Sequence, residues 1–194
     1  MMNYDAFSES TRSPEAHPLR DLFGELVTDA FHRTIGLPQQ SVSVYLTDLL
    51  TEFAYMDNLY QTGEVGRDQL QEVVQMQEVV QMQNKLREIP EHDPLSPEMQ
   101  AQERALHKHI GDFTLFWAGI YPEALRKLRT QGHADQLIDY VRQGKQSYYI
   151  VSTFQRGRFA EDAGLFQSLS EQFELCLFGL SLVRREWEKM AFRV

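Results

Sequence analysis

Cysteine is almost absent from this chain, with one, Cys176, in 194 residues. No intramolecular disulfide can form, and a lone thiol within an apolar helical pattern reads as a small core residue suited to a reducing compartment, the cytoplasm. Basic residues are also scarce. There are 19 Lys and Arg against 28 Asp and Glu, and the formal net charge of −9 repels phosphate backbones at long range, which disfavours nucleic acid as a partner. Long apolar runs are missing too. The longest, Phe113 to Tyr121, falls far short of the ~18 residues that a membrane span needs, and the polar, acidic amino terminus is not that of an export signal. No Gly-rich phosphate loop, nucleophile elbow or paired cysteines occur, so nucleotide-dependent and nucleophilic catalysis have no visible anchor.

What is present is a globular balance of 42% apolar and 24% charged residues, on a chain long enough to bury a core unaided. Residues 1–17, rich in Ser, Thr, Pro and Glu without a sustained period, read as a flexible tail preceding a single helical domain over 18–194. From Pro18 onward, Leu19, Leu22, Phe23, Leu26, Val27, Ala30 and Phe31 recur at three and four, until Gly36 and Pro38 stop them. Residues 40–61 repeat the device with Val42, Tyr45, Leu46, Leu49, Leu50, Phe53 and Met56. A third helical stripe, Leu70 to Ile89, holds the tandem hexapeptide EVVQMQ at 72–77 and 78–83, too short to be a structural repeat. Three prolines within 89–97 then enforce a loop.

The segment 98–120 is the most informative. Leu106, Ile110, Phe113, Trp117 and Ile120 define one face, and from 113 onward the polar face disappears, as a helix at the centre of a bundle requires. Pro122 starts a short basic helix ended by Gly132. A helix over about 135–154 follows, with Gly144 as a weak point, and two more close the chain near 159–170 and 171–192. Phe173, Leu177, Leu180, Val183 (or Arg184), Trp187 and Met190 line the last. The pattern predicts an all-α bundle of six to eight helices with 98–120 at its centre.

Candidate chemistry concentrates on that central helix. Glu103, His107, His109 and Asp112 are ligand-type residues, but His107 and His109 project roughly 160° apart, and each same-face pair needs two more ligands from elsewhere. No metal site and no cofactor are expected. His109 and Asp112 flank the apolar stripe beside Gly111. A half-buried Asp must find a partner, namely His109, a Tyr hydroxyl or an Arg of a neighbouring helix, while Gly111 lets that helix approach. The rival reading makes His109 and Asp112 the polar groups of a small-molecule or cofactor pocket lined by Phe113, Phe116, Trp117, Tyr148 and Tyr149. Charge is also uneven. Arg126, Lys127, Arg129, Arg142, Lys145, Arg156 and Arg158 make 121–160 the one positive stretch, with Tyr148, Tyr149 and Phe154 interleaved. Its plainest role is a solvated face that pairs with the acidic first 120 residues.

Two resemblances bear on function. Arg104 and His109 have a spacing similar to the Arg-x4–6-His motif of HEPN ribonucleases, small helical domains that dimerise, which implies metal-independent RNA cleavage as a third reading. Four such spacings occur in the chain where chance gives ~1.3, and Arg104/His109 alone sits well inside a helix. The stretch Ile110-Gly111-Asp112-Phe113-Thr114-Leu115-Phe116, followed by Gly119, Tyr121 and Pro122, resembles a family of small uncharacterised bacterial helical proteins marked by Gly-Asp-x-x-Leu-(Phe/Tyr)-x-x-Gly. Tyr140, Gly144 and Tyr148-Tyr149 are similar to that family's later Tyr-Tyr and glycine positions, in rearranged order. The resemblance covers roughly 105–180 and implies a helical fold and a bacterial source, without an activity. The leading expectation is a cytoplasmic, non-catalytic interaction or scaffold protein, a homodimer, because wide apolar helix faces outnumber reactive groups.

Overall fold

The computed structural model describes residues 19–61, 96–123 and 136–191. The expected tail 1–17, the EVVQMQ repeat, most of the Pro-rich loop 89–97 and the basic residues Arg126, Lys127 and Arg129 lie outside them. Six α-helices pack together, and no strand occurs among the described residues: α1 (Arg20–Thr28), α2 (Gln40–Gln61), α3 (Pro97–Ile120), α4 (Gln136–Thr153), α5 (Ala160–Glu171) and α6 (Phe173–Ala191). None of them is long and apolar enough to cross a membrane.

Helix α1 buries Phe23 and Val27 and then widens into a π-helical stretch, Asp29–Ile35, which Gly36 ends at φ +75°. The sequence predicts one continuous α-helix here. Apolar spacings of three and four suit either register, so the widening leaves no periodic signal. Helix α2 buries Val42, Leu46, Leu49 and Leu50 beside a second stripe of Ser43, Thr47 and Thr51. Those three hydroxyls donate to carbonyls four residues back, at 3.3, 2.8 and 2.7 Å, so the stripe is buried with its donors satisfied.

Helix α3 starts on Pro97, whose fixed φ suits a first turn, and packs against α2, α4 and α6. Every residue from Ile110 to Phe116 is buried, the outcome that its lost polar face predicts. Its carboxyl end is capped by Arg184 of α6, which donates to the Ile120 carbonyl at 2.6 Å, lies over the Tyr121 ring and pairs with Glu123 and Glu188. Arg184 is therefore not a core residue, and Val183, fully buried, is. Met190, assigned to the core stripe by spacing, is 45% exposed, one residue before the end of α6.

Glycines mark where the helices cross. A Cβ on Gly111 would lie 2.5 Å from the Tyr148 ring, on Gly119 2.7 Å from Leu180, on Gly144 2.8 Å from both Thr114 and Phe173, and on Gly179 2.2 Å from Phe31. Gly144 is thus a contact point between α4, α3 and α6 rather than a weak point in α4. Interiors pack at crystal-like density, so each of these contacts admits no side chain.

Candidate functional site

Asp112, 5% exposed, lies in the buried half of α3 and has three partners on three elements. Tyr45 of α2 and Tyr148 of α4 both donate their hydroxyls to Oδ1, Tyr148 at 2.8 Å and Tyr45 through a very short contact. Lys108, one turn back on α3, donates to Oδ2 at 2.6 Å and stands 5.3 Å from the centre of the Tyr45 ring. Gly111 admits the Tyr148 ring beside the carboxylate, so Gly111-Asp112 works as a unit: one removes a side chain and the other receives the hydroxyl that moves in. Both carboxylate oxygens thus accept hydrogen bonds from groups of the protein itself, one of them charge-assisted. Leu115 and Phe116 continue the same helix into the core, and Gly119 admits Leu180.

Burial, reinforced by the Asp112 charge, pushes the hydroxyls of Tyr45 and Tyr148 well above the ordinary tyrosine value of 10.0. An acid whose folded value is raised contributes its stability fully below the unfolded value and loses it as pH climbs above that. Over the window starting at about pH 10, the unfolded chain holds two protons fewer, and stability falls by up to about 2.7 kcal/mol per pH unit. A thermal midpoint that is steady near neutrality and drops steeply above about pH 10, with roughly half the slope in Tyr148→Phe, is the expected outcome. A profile that stays flat there would mean that neither hydroxyl is held by Asp112.

The other candidates are placed separately. His109, on the exposed side of α3, is not a partner of Asp112, whose bonds go to Tyr45, Tyr148 and Lys108. His107 faces Ser147 of α4 at 3.3 Å, and burial lowers its pKa. Among the described residues no group of three or more His, Cys, Asp or Glu could hold a metal ion. Glu52 of α2 feels the charges of Lys108, Asp112, Asp48 and His109, and partial burial raises its carboxyl pKa.

Arg104, 8% exposed, points away from His109, since five residues turn a helix through about 140°. It pairs with Asp162 of α5 at 2.6 Å and lies over Phe159 (4.6 Å) and Phe166 (5.3 Å). The structure therefore does not bring the ribonuclease-like pair together. Burial explains the difference: a guanidinium flanked by two aromatic rings and a carboxylate has a structural partner set.

Nor are the pocket residues assembled. Phe116 stacks on Phe53 at 4.2 Å and, with Phe113, Trp117 and Tyr121, forms an aromatic cluster in which the buried Trp117 indole nitrogen has no hydrogen-bond partner among the described residues. Tyr148 is fully buried against Phe166 and Phe173, while Tyr149, the next residue, is 60% exposed. Adjacent helical residues point about 100° apart, so the Tyr-Tyr pair cannot line one pocket. Of the basic stretch, Arg142, Arg156 and Arg158 are exposed, and Lys145 pairs with Glu174 of α6 at 2.8 Å, not with the acidic first 120 residues. Cys176 is fully buried, and that burial pushes its thiol pKa up to about 12, leaving it inert.

Of the partners expected for Asp112, the structure supplies the Tyr hydroxyl, twice, and adds Lys108. Lys108 was legible, standing one helical turn before Asp112, but Tyr45 lies 67 residues away with nothing in its spacing to single it out. No protein-family model matches the chain, and no curated protein or solved structure matches it either.

Proposed function

We propose that this chain is a cytoplasmic, non-catalytic protein-interaction or scaffold protein that works as a homodimer. The observation that carries the reading is the engagement of Asp112. Both of its oxygens accept hydrogen bonds from the protein's own side chains, in a site 5% exposed. A general base needs a lone pair within reach of a substrate proton, and this carboxylate offers no such access. The inert, buried Cys176 removes the one thiol nucleophile. Large apolar side chains meanwhile stand on the surface, among them Phe178 at 54% and Leu175 at 38% exposed. Surface apolar groups rimmed by charge are a mark of protein contact.

A second reading has one observation in its favour: the orphan Trp117 N–H inside a cluster of five aromatic rings, which is a donor suited to a small aromatic ligand with an acceptor atom. Native mass spectrometry of gently purified protein separates the two. Twice the chain mass, with nothing added, is the expected result for the interaction protein. A reproducible extra mass lost on denaturation would favour the ligand-binding reading instead.

A further inference from the structure

Residues 140–160 hold no Asp or Glu, although the chain has 28 of them in 194 residues. Along α4 within that run, Arg142, Gln146, Tyr149 and Thr153 are spaced 4, 3 and 4, fall within about 60° of arc, and are all exposed. Arg156 and Arg158, exposed as well, follow in the corner that joins α4 to α5. Charge pairing sets this face apart. Among the described residues, every Lys and Arg outside 140–160 lies 3.8 Å or less from a carboxylate, from Arg20 with Asp48 to Lys189 with Glu186. Inside the run Lys145, to one side of the stripe, reaches Glu174, whereas Arg142, Arg156 and Arg158 have no carboxylate partner among the described residues. Arg158 lies instead over the Phe159 ring at 4.9 Å. Between the arginines stands Tyr149, 60% exposed, more than any other large apolar side chain among the described residues.

We infer that this face of α4, with the corner after it, is the docking surface for an acidic segment of a partner protein. The inference rests on the protein-interaction reading above and names its surface and the partner's chemistry. Three guanidiniums kept clear of carboxylates, in a chain of net charge −9, leave one face on which an anionic segment meets attraction rather than repulsion. Each guanidinium is a planar fork that takes a carboxylate through two parallel hydrogen bonds. Arg and Tyr are also the residues that anchor interfaces, and the Tyr149 ring supplies apolar area between the charged ends with little rotamer freedom to lose. Geometry sets the length of the segment. Arg142 and Thr153 stand about 16 Å apart along α4, which an extended chain covers in about five residues, so carboxylates spaced by about that many meet Arg142 at one end and Arg156 or Arg158 at the other. A nucleic acid fits less well. Three arginines fall short of the roughly 6–10 phosphate contacts of a strong DNA binder, and the net charge of −9 repels the rest of a long polyanion.

Fluorescence anisotropy of the full chain with a labelled peptide of alternating Glu and Gly tests the inference, with circular dichroism as the check on folding. Wild type binds the peptide with an affinity that falls as salt rises, and Arg142→Glu with Arg156→Glu weakens binding about tenfold or more. Tyr149→Ser weakens it too, without changing the salt dependence. Arg33→Glu is the control, because it makes the same charge change at a side chain 79% exposed on the π-helical stretch, and it binds as wild type does. Absence of binding at peptide concentrations on the order of 1 mM, or an equal loss in Arg33→Glu, overturns the α4 face. Twice the chain mass by native mass spectrometry beside that result leaves the interaction reading standing. A single-stranded oligonucleotide that binds more tightly than the peptide, and is lost in the same double variant, overturns the acidic protein partner in favour of nucleic acid.

Discussion

Asp112→Ala lowers the stability of the fold by about 3–5 kcal/mol, the range found when one partner of a buried charged network is deleted. The truncation removes more than its own contacts. Tyr148, fully buried, is left with a hydroxyl that has lost its acceptor, Tyr45 loses the same acceptor, and Lys108 faces them without its counter-charge. Unpaired buried hydroxyls cost about 1–3 kcal/mol each relative to water. A domain of this size loses about 2–4 °C of thermal midpoint per kcal/mol, so a drop of roughly 10 °C is expected by differential scanning calorimetry. Tyr148→Phe in the Asp112→Ala background then costs less than it does alone, because the hydroxyl it deletes no longer has an acceptor.

Gly179→Ala has the second largest effect. The new Cβ falls 2.2, 2.4 and 2.8 Å from three atoms of the Phe31 ring. That ring is itself fully buried, so it cannot retreat without displacing its own neighbours. Alanine gains about 1 kcal/mol of helix propensity over glycine, and overpacking of this severity exceeds that gain, for a net loss of about 3 kcal/mol. Gly164 of α5 is the internal control. Nothing lies within 4 Å of its Cβ position, so Gly164→Ala keeps the propensity gain and stabilises by about 0.5–1 kcal/mol. Chemical denaturation of the pair reads both signs, and a neutral Gly179→Ala would place α6 farther from the π-helical stretch than the packing here requires.

Much of the architecture is legible because helical periodicity is a local signal. The bounds 40–61 and 135–154 follow from apolar spacing, Gly and Pro alone, and the loss of a polar face after residue 113 places α3 at the centre. The need of Asp112 for a partner is legible as well, since a carboxylate in that apolar surrounding must be paired. Which groups answer that need is a long-range fact. Tyr45 reaches Asp112 across 67 residues and Tyr148 across 36, and no periodicity encodes either meeting. The same limit explains Arg104, whose companion Asp162 lies 58 residues on and turns a nuclease-like spacing into a bridge between helices.

Asp112 ties α2, α3 and α4 together through Tyr45, Lys108 and Tyr148. Residues kept for catalysis tend to burden the fold, so replacing them tends to stabilise it, whereas replacing a structural tie does the opposite. Equilibrium urea unfolding of Asp112→Asn beside wild type is therefore the most direct measurement. The amide keeps an acceptor for the two tyrosines but removes the charge and sets an N–H against Lys108, so stability falls by about 1–3 kcal/mol with an unchanged denaturant slope. An Asp112→Asn protein as stable as wild type, or more stable, would contradict the account.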